Sequence, residues 1–261
     1  MVSKLTISLF LNTAWAYPLF LWNLPINEIK SGFYRFSLSI STILWGLACI
    51  ILLFNLEFKK NISDFLPAFL SFFIIGSYTF YIWKKNYISL YSISAICIIL
   101  AGVTHHINQS IIFNLEFLNP AYLIGVLILS NVLFAMILGH WYLNVPNLKI
   151  TRLKRIVSYL GILLVLRLFW NIFSIYSKDN ILKEGMVING FNFLTSLDGI
   201  FLWIAFLFGI IAPLILNFMT SRTLEMHSTQ SATGLLYINL VLILMSEMIF
   251  KYYLIQYKWI L

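Results

Sequence analysis

At 261 residues, with 61% hydrophobic, 17% aromatic and 10% charged residues, the chain has the length of one large domain but too little charge for a water-soluble surface. Repeated apolar runs of about 20 residues, each able to cross ~30 Å of hydrocarbon as a helix, predict an all-α polytopic membrane bundle. The net charge of +8 does not point to nucleic acid, because the cations form short clusters between apolar runs rather than one soluble face.

Apolar runs set against turn and charge breaks predict eight spans, near 5–23, 32–54, 65–83, 87–107, 120–144, 156–177, 193–219 and 234–257. Together they make a single transmembrane domain over 1–261. The first begins with a cation, an apolar stretch and Ala14-Trp15-Ala16, which imitates a signal-peptide cleavage site. Apolar sequence continues to Trp22, so this stretch is expected to remain a span, bent or ended near Pro18 and Pro25. Cys49 and Cys97 lie inside apolar runs without CxxC spacing and read as packing residues. The longest connections, near 178–192 and 220–233, leave no room for a soluble domain, and no repeat of 20 to 50 residues is present.

With eight spans, nine cations fall on one side, including Lys30, Lys84, Lys85 and the cluster Lys149, Arg152, Lys154 and Arg155; seven, among them Lys4, Lys59 and Lys60, fall on the other. The excess of Lys and Arg in cytoplasmic loops then places both termini outside the cytoplasm of a bacterial-type membrane, although Lys4 read as part of a signal anchor argues the reverse. Trp and Tyr gather near the span ends, in "FYIWKKNY" and "YYLIQYKW" for instance, where amphipathic rings prefer the headgroup level.

An ionisable group inside hydrocarbon is costly and needs a partner, so each one is a functional candidate. Arg167 lies near the centre of the sixth span, and Asn171, Ser174 and Lys178 follow at i+4, i+7 and i+11 as one polar stripe. Glu247 lies at similar depth in the eighth. Two partners are open to it: Arg167 across the bundle, or Lys251 at i+4 on its own helix. Asp198, with Thr195 as the candidate cap, reads as a helix-start carboxylate favoured by the helix dipole. With His105 or His106, which end the fourth span on the same predicted face, it is a candidate proton relay.

His140 sits about one turn inside the exit of the fifth span, followed by Trp141 and Tyr142, with Pro146 and the cations already at the interface. His227, Arg222 and Glu225 belong to the same side. A histidine there can donate to a quinone carbonyl or ligate a haem iron. Two haems are not expected, because adjacent His105 and His106 point about 100° apart and cannot clamp one iron; His140 with His227 is the one depth-matched pair. The absence of GxSxG, HExxH, DDxxD, Walker A and GxGxxG patterns weighs against serine hydrolases, zinc peptidases, aspartate-rich prenyltransferases and nucleotide-driven pumps.

Three readings follow, in this order. The first is a membrane subunit of a redox assembly that binds quinone or one haem b near His140, with electrons delivered by partner subunits. The second is a proton-coupled transporter or permease subunit with a polar path at Arg167, Asn171, Glu247 and Asp198; Pro213 with Gly209 is its one candidate helix break. In the third, a structural or assembly protein, the charges only pack helices.

Overall fold

A computed structural model describes residues 1–26, 29, 31–54, 62–85, 88–113, 120–145, 148–177, 181–183, 186–188 and 190–259. Pro146, Lys178 and the loop cations Lys30, Lys59 and Lys60 lie outside the described residues, as does the side chain of Lys183. Among the described residues, eight helices are long and apolar enough to cross a bilayer, each overlapping one of the eight expected runs. A segment in lipid has no water to satisfy its backbone, and a helix does so internally. The protein is accordingly an all-α, multi-pass membrane bundle.

The chain forms two compact units, Met1–Leu118 and Asn119–Leu261. In the first, α1 (Val2–Ala16) packs against α2 (Ser31–Phe54) and α4 (Leu90–Ile107), and α3 (Ile62–Lys85) packs against α2 and α4. α1 gives way to a 3-10 turn, Tyr17–Asn23, with Pro18 in its first positions, where a missing N–H costs nothing. The inward face of α1 is polar, yet its groups are satisfied locally: Thr13 donates to the Leu9 carbonyl (2.7 Å) and Asn12 to that of Ser8 (2.5 Å). Ser41 of α2 donates to the Ala14 carbonyl, and Trp45 Nε1 to that of Ala68 in α3 (3.0 Å). Cys49 and Cys97 are buried free thiols.

The second unit contains α5 (Pro120–Asn144), α6 (Thr151–Ser177), a two-stranded antiparallel ribbon of β1 (Ile181–Lys183) and β2 (Met186–Ile188), α7 (Gly190–Leu194), α8 (Leu197–Phe206), α9 (Ala212–Glu225) and α10 (Thr229–Tyr257). α10 is its hub, packing against α5, α8 and α9, while α6 packs against α5 and α9. The seventh span is α8 and α9 joined by a π-helical segment, Leu207–Ile211. Pro213 cannot donate to the carbonyl four residues back, and the locally wider turn absorbs that loss without breaking the span.

Three boundaries differ from the sequence reading by five residues or more. α6 starts at Thr151, so Arg152, Lys154 and Arg155 lie on its first turns rather than in a loop. Likewise α9 runs on to Glu225 and α10 starts at Thr229, which reduces the expected 220–233 connection to three residues. Apolarity marks only the length inside hydrocarbon, whereas a helix continues into the interface as long as its backbone bonds do. Ribbon β1–β2 in the 178–192 connection is short and had no counterpart in the apolar pattern.

A buried ion cluster as candidate functional site

Arg167 and Glu247 stand three and four residues from the middles of α6 and α10. Arg167 reaches across so that Nη2 lies 3.5 Å from Glu247 Oε1, while Lys251 Nζ lies 3.0 Å from Oε2. Both partners weighed from the sequence are therefore present, one on each oxygen. The three side chains are between 3% and 6% exposed. Arg167 also donates from Nη1 to the Ala121 carbonyl at the start of α5, and its guanidinium lies 4.8 Å from the centre of the Phe250 ring. Lys251 lies 5.3 Å from the centre of the Tyr122 ring, so an aromatic face shields each cation.

Gly125 makes room for the carboxylate. A Cβ built there would stand 2.7 Å from both Glu247 oxygens, so the acid sits in a notch that only glycine leaves open. Fourteen residues along α5, a Cβ on Gly139 would stand 2.7 Å from Thr233 Oγ1. The same antiparallel register at both contacts sets Asn131 level with position 241, within a turn of Asn239. A Cβ on Gly161 of α6 would meet Asn217 Nδ2 of α9 at 2.8 Å, and Asn239 Nδ2 contacts the Pro213 carbonyl at 3.5 Å.

The second unit thus carries a series of buried amides from Asn171 past the ion cluster to Asn131, Asn239 and Asn217. Both amide atoms of Asn131 and of Asn171, and Oδ1 of Asn217 and Asn239, have no hydrogen-bond partner among the described residues. Each such group, buried in an apolar bundle, carries a desolvation cost of about 1–3 kcal/mol. Gly125, Asn131, Asn217 and Asn239 were not singled out from sequence, although the rule that flags mid-span charges applies equally to mid-span amides.

Ser174, the last described residue of the Arg167 stripe, accepts from Trp259 Nε1 at 3.0 Å. Asp198 is in the first turn of α8, but the cap is Ser196 rather than Thr195: Ser196 Oγ accepts from Gly199 N at 3.3 Å, while Thr195 donates to the Asn192 carbonyl at 2.8 Å. A cap oxygen reaches an N–H two or three residues on, and Thr195 is four before Gly199. Asp198 borders a mostly apolar cavity of about 400 Å³ with Phe201, Met248, Ile249, Tyr252 and Tyr253. His105 and His106 end α4 in the first unit, half-buried and exposed respectively.

His140 is exposed near the end of α5, and Trp141 beside it is half-buried. Arg222 and Glu225 form an exposed i,i+3 pair at 2.9 Å in the last turn of α9. His227, also exposed, follows with φ 57°. Its N–H donates to the Leu224 carbonyl (3.2 Å) and that of Ser228 to Thr223 (3.0 Å), the paired bonds of a Schellman cap. His227 is the left-handed residue that this cap requires, a role open to any residue tolerant of positive φ.

Against known proteins, the chain matches no family model, no curated protein and no solved structure.

Proposed function

We propose that this protein is a membrane transporter, or the permease subunit of one, whose substrate path passes the Arg167–Glu247–Lys251 cluster. The observation that carries this reading is the cluster itself: two cations and one carboxylate buried among packed, apolar helices, with Arg167 and Glu247 near the helix middles and Lys251 one turn beyond. Intramembrane charges are costly, and they characteristically mark ion and substrate routes. The unpartnered amides before and after the cluster extend polar chemistry along the unit, as a path needs and a purely structural tether does not. Glu247 and Lys251, 3.0 Å apart, are a pair able to exchange a proton, which suits coupling to a proton gradient. In this reading the cationic start of α6 faces the cytoplasm and both termini face away from it.

The exposed positions of His140 and His227 supply no enclosed wall for quinone or haem, so the redox reading gains no comparable support.

The test is uptake by proteoliposomes of the purified full chain, over a panel of sugars, amino acids, amines, inorganic cations, halides and monocarboxylates, with empty liposomes as reference. At least one solute is expected to enter faster with wild type, with the excess lost in Arg167→Gln and Glu247→Gln and kept in His140→Ala. If no panel solute moves, or if both cluster variants transport like wild type, the charges serve packing and the proposal fails.

A further inference from the structure

Within the cluster, positive charge and hydrogen-bond donors both exceed their counterparts. Arg167 and Lys251 bring two positive charges against one negative charge on Glu247. A guanidinium has five N–H donors and an ammonium three. Their acceptors among the described residues are the two Glu247 oxygens and the Ala121 carbonyl, and Arg167 Nε has no partner. Asn171, one turn along α6 on the face of Arg167, is fully buried with neither amide atom partnered. An uncompensated cation in a low-dielectric interior is strongly unfavourable, so the arrangement calls for one more negative charge that accepts hydrogen bonds.

We infer that this cluster is a binding site for a small monovalent anion, a carboxylate or a halide, with Arg167 Nε, a free Lys251 donor and the Asn171 amide as its donors. One monoanion neutralises the excess and occupies the spare donors; a dianion would overcompensate. Arg167 and Glu247 each lie ten residues, ~15 Å, from the nearer end of their helices, but Lys251 lies six, ~9 Å, from the end of α10 and Ala121 is the second residue of α5, so the site is nearer to one membrane face. The inference rests on the transport reading and names its substrate class.

The thermal unfolding midpoint of the purified full chain in detergent tests it, titrated with sodium chloride or sodium acetate at constant ionic strength made up with the bulky sulfonate HEPES. A ligand that binds only the folded state raises the midpoint saturably. We expect this for at least one of the two anions: a larger effect of acetate identifies a carboxylate site, and a larger effect of chloride a halide site. Lys251→Met leaves the neutral Arg167–Glu247 pair and is expected to fold and to lose the anion response. Glu247→Gln raises the excess to two charges and is expected to lower the half-saturating concentration about tenfold or more, which corresponds to one charge-assisted hydrogen bond.

A wild-type midpoint indifferent to both anions, or a full response in Lys251→Met, overturns the inference. Anion stabilisation without uptake of any panel solute keeps the site and removes the transport reading. Uptake of an uncharged or cationic solute, lost in Arg167→Gln and without anion stabilisation, does the opposite.

Discussion

Gly125→Ala tests the geometry of the cluster with a single methyl group. The new Cβ would stand 2.7 Å from both oxygens of Glu247 and 2.9 Å from its Cδ. Ordinary contact begins near 3.4 Å, so the carboxylate or the helix must retreat by about 0.7 Å. The carboxylate is held from two sides, by Lys251 at 3.0 Å and by Arg167 at 3.5 Å, and cannot retreat without lengthening one of them. Overpacking of this kind costs ~1–3 kcal/mol, against which alanine returns about 1 kcal/mol of helix propensity. The expected net effect is a loss of up to about 2 kcal/mol. Gly234→Ala in α10 is the matched control, because its Cβ would meet nothing within 4 Å. Both variants would be unfolded by the same thermal ramp in the same detergent, with Gly125→Ala melting below wild type and Gly234→Ala at or above it. A Gly125→Ala protein as stable as Gly234→Ala would refute the notch, and with it the position of Glu247 against α5.

The cluster also predicts an order among single substitutions, read from expression yield and thermal midpoint. Glu247→Met, which leaves two unopposed cations, should cost about 3–5 kcal/mol, the usual loss when one partner of a buried pair is removed, whereas Lys251→Met, which leaves a neutral pair, should cost least. Arg167→Met falls between, because it also strips the donor from the Ala121 carbonyl. His227→Gly should raise stability by about 1 kcal/mol in the same assay, since glycine takes the left-handed cap position without the penalty an L side chain carries; a fall instead would show that the imidazole has a role beyond the turn. Ser196→Ala should cost ~1 kcal/mol through the lost cap of α8 and Thr195→Ala less; equal losses would refute the assignment.

Much of the architecture follows from the sequence through one physical constraint. Apolar runs of about 20 residues in lipid must close their backbone hydrogen bonds within themselves, so eight such runs dictate eight helices wherever they pack. The same constraint makes Arg167 and Glu247 conspicuous, because a charge at that depth has no water to turn to. Their mutual contact could be posed as a question from depth alone. It could not be answered, since Lys251 at i+4 was an equally good partner on the same helix. Tertiary packing decided it in favour of both: Arg167 spans from α6 to α10, and Gly125, an unremarkable residue in "YLIGVL", opens α5 for the carboxylate between the two cations. Packing likewise left His140 on an exposed surface, and the turn after α9 gave His227 a backbone task. Span length and polarity are properties of each segment alone and are written in its composition. Which face meets which neighbour depends on register between helices, which only the assembled bundle sets.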